Sequence, residues 1–183
     1  MREISTCALV GQRPGSFSFG SDEDAADCVK LKILMTAQVE CLVRQGVTHY
    51  LTGLGQGADL WGAEIVLRLQ KQYPAVHLTA VLPHPHQADR WRTAQRRRYE
   101  ALLNQCSEVT CLSGCYASGS TRRRDRWLVD HAGYLLAVYN GSRQGSTAYM
   151  VRYAMDQNHS VVIIDPDRLT VARPSVPPAA AAL

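Results

Sequence analysis

Residues 50–70 read YLTGLGQGADLWGAEIVLRLQ. An apolar run ends at Thr52, glycines stand at positions 53, 55 and 57, and a helical pattern begins at once. The spacing predicts a strand, a tight loop and a helix. Residues without side chains at such a junction have two uses. They allow positive φ in a tight turn, and they let the backbone approach a ligand where a helix N-terminus presents unpaired N–H groups and a positive dipole end. A turn alone explains any one of these glycines. Gly53, Gly55 and Gly57 together, with Ala58 and Asp59 behind them, favour a site for phosphate. The pattern is G-x-G-x-G and not the dinucleotide fingerprint G-x-G-x-x-G, and no acidic residue follows about 20 positions on at a second strand end. Ordinary dehydrogenase chemistry is therefore disfavoured.

Outward from this stretch the same alternation repeats. Strands are expected over 4–10, 48–52, 76–82, 109–112, 134–139 and 160–164, and helices over 22–45, 58–72, 87–105, 122–131 and 146–157. In the first helix, Val29, Ile33, Leu34, Ala37 and Leu42 stand at helical spacing. Strict alternation of short apolar runs with helices predicts an α/β fold: a single Rossmann-like doubly wound, mainly parallel sheet with helices on both faces. The domain is expected over 1–168, followed by a disordered Pro/Ala-rich tail over 169–183 that ends ARPSVPPAAAAL.

Composition sets outer limits. At 183 residues, 46% hydrophobic and 20% charged, the chain suits one globular domain with a real core. No apolar run approaches a membrane span, and the first residues lack the pattern of a signal peptide, so a cytoplasmic location is expected. The six cysteines are scattered over an aliphatic-rich sequence and are expected to be reduced. Net charge is a mild +4, but arginines crowd two stretches, DRWRTAQRRRYE (89–100) and STRRRDRWLVD (120–130). Such clusters suit anions.

Two further loops share the strand-to-helix setting. AVYNGSRQGSTAYMVRYA (137–154) places Asn140, Gly141, Gly145, Ser146 and Thr147 between a strand and a helix. The two hydroxyls are expected to cap that helix and can also bind phosphate oxygens. VGQRPGSF (10–17) follows the first strand and carries Gly11 and Arg13, the latter a donor suited to phosphate or carboxylate. Trp61, one turn beyond the first glycine loop, is expected to pack or to line a base or ribose pocket. Trp91 and Tyr99 read as packing residues. His84 and His86 in PHPHQ lie beyond a strand end without an assignable third ligand, and Cys106, Cys111 and Cys115 lack zinc spacing, with Cys111 expected in a buried strand. No metal or certain cofactor is expected.

GQRP, TGLGQGADLWGAEIVLRLQ, DRWRTAQRRRYEALL, RRDRWLVDHAGYLLAVYNGSRQGST and the final VVIIDP strand, in that order, resemble the YpsA-like family. It belongs to the SLOG superfamily, which also holds the DNA-processing protein DprA and the LOG (Lonely Guy) nucleotide hydrolases. The resemblance spans 4–166 and implies a Rossmann-like fold. LOG-type hydrolases cleave the N-glycosidic bond of nucleoside monophosphates with an arginine and the glutamate of a PGGxGTxxE motif. The resemblance lays the arginine on Arg124 and the first two motif glycines on Asn140 and Gly141. The glutamate position falls on Met150, so the catalytic carboxylate is missing; Glu64 is a weak alternative.

Three functions follow as expectations. The favoured one is binding or sensing of a nucleotide-like phosphate ligand, such as ADP-ribose, an NAD derivative or a nucleoside monophosphate. The second is LOG-like hydrolysis, and the third is DprA-like nucleic-acid binding, weakened by the modest net charge. A small-molecule ligand is thus the expected partner, ahead of nucleic acid. No membrane partner is expected, and a homodimer stays open.

Overall fold

The structure, a computed structural model, describes residues 5–174. The chain runs β1 (Thr6–Gly11), α1 (Ala26–Arg44), β2 (His49–Thr52), α2 (Ala58–Gln70), β3 (His77–Leu82), α3 (Thr93–Leu103), β4 (Glu108–Cys111), α4 (Ser120–Asp130), β5 (Tyr134–Val138), α5 (Ser146–Asp156), β6 (Ser160–Asp165) and β7 (Thr170–Ala172). One 3-10 turn, Pro14–Ser16, follows β1.

The strands lie in the order β4-β3-β2-β1-β5-β6-β7. All neighbours are parallel except β7, which pairs antiparallel with β6. β1 is apolar on both sides because both sides are covered: Cys7 and Leu9 enter one core, Ala8 and Val10 the other. Residues of α1, α2 and α3 build the first core, and residues of α4 and α5 the second. The doubly wound α/β sheet expected from the alternation is present.

The topology also locates a crevice. From β1 the chain builds outward through β2, β3 and β4, then returns to lay β5 on the other side of β1. Helices that leave adjacent strands toward opposite faces open a gap at the strands' carboxyl ends, here between β1 and β5.

Several local expectations are corrected. The core face of α1 is Cys28, Leu31, Met35, Val39 and Leu42, whereas Val29 and Ile33 are 45% and 63% exposed. A second apolar stripe, Val29, Ile33 and Ala37, runs along the far side of this helix, and periodicity alone does not say which one meets the sheet. α3 starts at Thr93, six residues later than the spacing suggests, because residues 83–92 form successive turns and Arg92 is extended at φ −59°, ψ 145°. Cys111 is exposed rather than buried, since β4 is an edge strand with Glu108 and Val109 also in solvent. β7 falls where a tail was expected. All three of its residues are exposed, so it leaves no burial pattern in the sequence. The rest of that expected tail, 175–183, lies outside the described residues. Among the described residues no helix is long and apolar enough to cross a membrane.

Candidate functional site

A cleft of about 360 Å³ opens at the carboxyl ends of β1 and β5. Gln12, Arg13 and Ser16 line it from the loop after β1, Gly55 and Asp59 from the loop and first turn of α2, and Thr121 and Arg124 from α4. The remaining wall is Gly11, Gln56, Tyr139, Ser142 and Gln144 through Ala148, with Met150.

The three alternate glycines turn out to be fitted to protein atoms. A Cβ on Gly53 would stand 1.7 Å from Nη1 of Arg124, so this residue is the notch that admits the guanidinium. The carbonyl of Gly53 accepts from that Nη1 at 3.0 Å and from Gln87 Nε2 at 3.1 Å. Gly55 sits against Asp59 and donates its N–H to Oδ2 at 3.2 Å. Gly57 has φ +88°, and a Cβ there would meet the Gln12 carbonyl at 2.7 Å. Thus Gly57 packs on the loop after β1, where the sequence suggested a close approach to phosphate. Gly145, with φ +98°, lines the cleft and has open space where a side chain would be.

Neither α2 nor α5, whose first turns line the cleft, is capped by a side chain at its N-terminus. The N-cap of α2 is Gly57 and that of α5 is Gly145. Ser146 and Thr147, expected as caps, do other work: the Ser146 hydroxyl donates to Asp125 Oδ2, while Thr147 lines the cleft. In α2 the Ala58 N–H donates to the Gln12 carbonyl at 3.3 Å, while the first-turn N–H groups of α5 are left for water or a ligand. Asp125 in turn accepts from Arg124 Nε at 2.9 Å, both side chains being at least nine-tenths buried. This chain of contacts, from Gly53 through Arg124 and Asp125 to Ser146, ties the first glycine loop to the second.

Asp59 is 8% exposed. Burial pushes its carboxyl up to about 6, against the pull of the Arg124 charge and the backbone amides of Gly55 and Gly11. Its Oδ1 makes no hydrogen bond.

Asn140 braces the site. Gln12 Nε2 donates to its Oδ1 at 2.8 Å, and its own N–H donates to Gln12 Oε1 at 3.2 Å. The pair clamps the loops after β1 and β5. Gly141, at φ +85°, turns the chain beyond that clamp. Gly11 makes room for α2, since a Cβ there would fall 2.3 Å from that of Ala58.

Two expected residues lie elsewhere. Trp61 is 2% exposed and stacks on Phe17 at 5.2 Å between ring centres, inside the first core. Glu64 points at α3, where Arg98 Nε donates to it at 2.6 Å and Arg98 also holds Glu23. Burial would raise the Glu23 carboxyl, but hydrogen bonds from Arg98 and Lys32 bring it down to about 2. Arg98 is thus consumed in an ion cluster. Trp91 packs edge-on against Tyr99 at 5.3 Å, as expected. His84 accepts from the His86 N–H, and His86 faces Asp89. Among the described residues no group of three or more His, Cys, Asp or Glu is placed to hold a metal ion.

Sequence reasoning missed Gln12, Ser16, Thr121, Asp125, Tyr139 and Gln144. Gln12 and Asp125 adjoin Arg13 and Arg124, and their roles depend on partners 128 and 21 positions away.

The sequence model of the YspA SLOG family, YpsA, matches residues 7–169. The chain belongs to this family. Relatives include a UPF0398 protein of Bacillus pumilus (strain SAFR-032), 29% identical over 150 residues and covering 80% of each chain. Another, from Bacillus thuringiensis (strain Al Hakam), is 28% identical over 174 residues, or 90% of this chain and 92% of that one. The fold of this YpsA-family chain is similar to the X-ray structure of DNA processing protein A (DprA) from Streptococcus pneumoniae, with a TM-score of 0.58 at 11% identity. That likeness covers 88% of this chain and 50% of the DprA chain, so this chain spans about half of its length.

Proposed function

We propose that this chain binds, and by binding senses, a nucleotide-like phosphate ligand in the cleft between β1 and β5. The carrying observation is the convergence there of the open α5 N-terminus and the first turn of α2, which the Gln12 carbonyl partly closes, with Arg13 and the buried Arg124. Helix N-termini and a guanidinium favour the same ligand charge, and a cleft of about 360 Å³ is in the range of small-molecule sites. LOG-like hydrolysis has less support: Met150 stands where the hydrolases carry their glutamate, and Glu64 is held by Arg98 away from the cleft. Nucleic-acid binding is weakened too, because Arg96, Arg98 and Arg126 are engaged by neighbouring carboxylates.

The test is a thermal-shift panel of nucleoside mono- and diphosphates, ADP-ribose and NAD on protein stripped of retained small molecules. A ligand that binds only the folded chain at about 100 times its Kd adds about 2.7 kcal/mol, which raises Tm by several degrees. At least one compound is expected to do so. A flat panel overturns the proposal.

A further inference from the structure

We infer that the outer face of α1 is a self-association surface, on which two copies of this chain pair through antiparallel α1 helices. The inference is independent of the ligand site, since no residue of α1 lines the cleft.

On the side of α1 away from its core residues, Ala26, Lys30, Ile33, Ala37, Glu40 and Arg44 follow one another at spacings of 4, 3, 4, 3 and 4, the seam of a heptad repeat. Glu40 is half-buried and the other five are exposed. Ile33 is the most exposed large aliphatic side chain among the described residues. With Val29, Thr36 and Ala37 it borders a groove of about 500 Å³ beside Arg68 of α2. A lone exposed aliphatic is ordinary. One at the centre of a heptad seam, beside a groove, is placed to be covered by another helix.

Charge says which helix that is. A twofold axis midway between Ile33 and Ala37 maps the seam onto itself: Ile33 meets the second copy's Ala37, Lys30 its Glu40, and Arg44 its Ala26 with Asp27 alongside. Large packs on small in the two central layers, and a base meets an acid in the layer on either side. Within one chain Lys30 already pairs with Asp27 at 3.3 Å, and Arg44 with Glu40 at 2.7 Å. Pairing two copies closes these into rings of alternating sign, Asp27 and Lys30 of one chain with Glu40 and Arg44 of the other. A parallel pair in register would set Lys30 against Lys30 and Glu40 against Glu40, so the charges specify the antiparallel arrangement, which also opposes the two helix dipoles. A partner of uniform charge is repelled either at Lys30 and Arg44 or at Glu40. With only two apolar layers, the contact belongs among small, transient interfaces rather than obligate ones.

Sedimentation equilibrium of the full chain from about 5 to 500 µM, the range of a transient contact, tests this. Reducing buffer keeps Cys41, beside the seam, from cross-linking. The parent is expected to pass from one-chain to two-chain mass within that range. Ile33→Glu should stay a monomer throughout and melt within about 2 °C of the parent, because the side chain lies in solvent in the single chain. Lys30→Glu and Glu40→Lys each set like charges together in both charged layers and should associate at least about tenfold more weakly. A one-to-one mixture of these two variants should dimerise like the parent, since each chain then supplies the charge the other lost. A parent that stays a monomer overturns the proposal, with the face then open to another protein. Unchanged dimerisation of Ile33→Glu overturns it too, as does a mixture no stronger than either variant alone. If Glu40→Lys does not fold without its contacts to Arg44 and Tyr73, the parent and the other two variants still decide.

Discussion

Arg124 Nη1 donates to the carbonyl of Gly53 at 3.0 Å, and the guanidinium occupies the space a side chain at position 53 would need. A loop after β2 and a helix 71 positions later in sequence are thus shaped to one another. Gly53→Ala is expected to push the guanidinium aside and weaken ligand binding much as Arg124→Ala does. A hydrogen bond to a charged group is worth roughly 1.5–3 kcal/mol, so both should cost about ten- to a hundredfold in Kd. Calorimetry on folded variants checks it. Two variants that bind like the parent would show that Arg124 only holds the loop.

Gly57→Val should act differently. Its φ of +88° suits only glycine well, and the new branch would run into the Gln12 carbonyl and Pro14. Loss of at least about 1–3 kcal/mol in urea denaturation is expected, with binding falling only as the folded fraction falls. A stable variant with abolished binding would return Gly57 to the role of phosphate neighbour.

These two glycines show how far the sequence reaches. The G-x-G-x-G pattern between an apolar run and a helical one was enough to place a loop at a strand's carboxyl end, and alternation along the chain was enough for a doubly wound sheet. Which atoms each glycine makes room for was not legible, because Arg124 and the Gln12–Pro14 turn come from other parts of the chain. Family resemblance points to Arg124, whereas its neighbour Asp125 carries no signal in the sequence, since only the fold brings Ser146 to it. Trp61 and Glu64 followed the glycine loop closely enough to suggest the cleft. One of them turned into the core, the other toward Arg98.

Glu64→Gln separates that ion cluster from the site. Arg98 joins Glu64 to Glu23 in a partly solvated cluster, and such pairs contribute about 1 kcal/mol or less. The variant is expected to melt a few degrees lower and to bind ligand within twofold of the parent. A tenfold loss of affinity with an unchanged melting temperature would place Glu64 in the cleft after all.

The buried carboxylate of Asp59 sets a pH signature on the ligand-free protein. Its pKa rises from the usual 3.8 to about 6, so the folded chain holds this proton more tightly than the unfolded one. Its contribution is therefore fully present below pH of about 4 and is lost as pH rises through about 6. Burial, with the Asp125 charge acting in the same sense, outweighs the pull of the nearby Arg124 toward the charged form. Other carboxylates such as Glu23 change stability in the opposite sense at lower pH, so the parent's own curve mixes several groups. Asp59→Asn isolates one of them because it cannot ionise. Relative to the parent, this variant should gain on the order of 2 kcal/mol between pH 4.5 and 7.5 in urea denaturation, most of it before pH 6.5. A difference that stays flat over that range would mean that Asp59 ionises as it does in the unfolded chain, with water reaching the carboxylate that the cleft encloses.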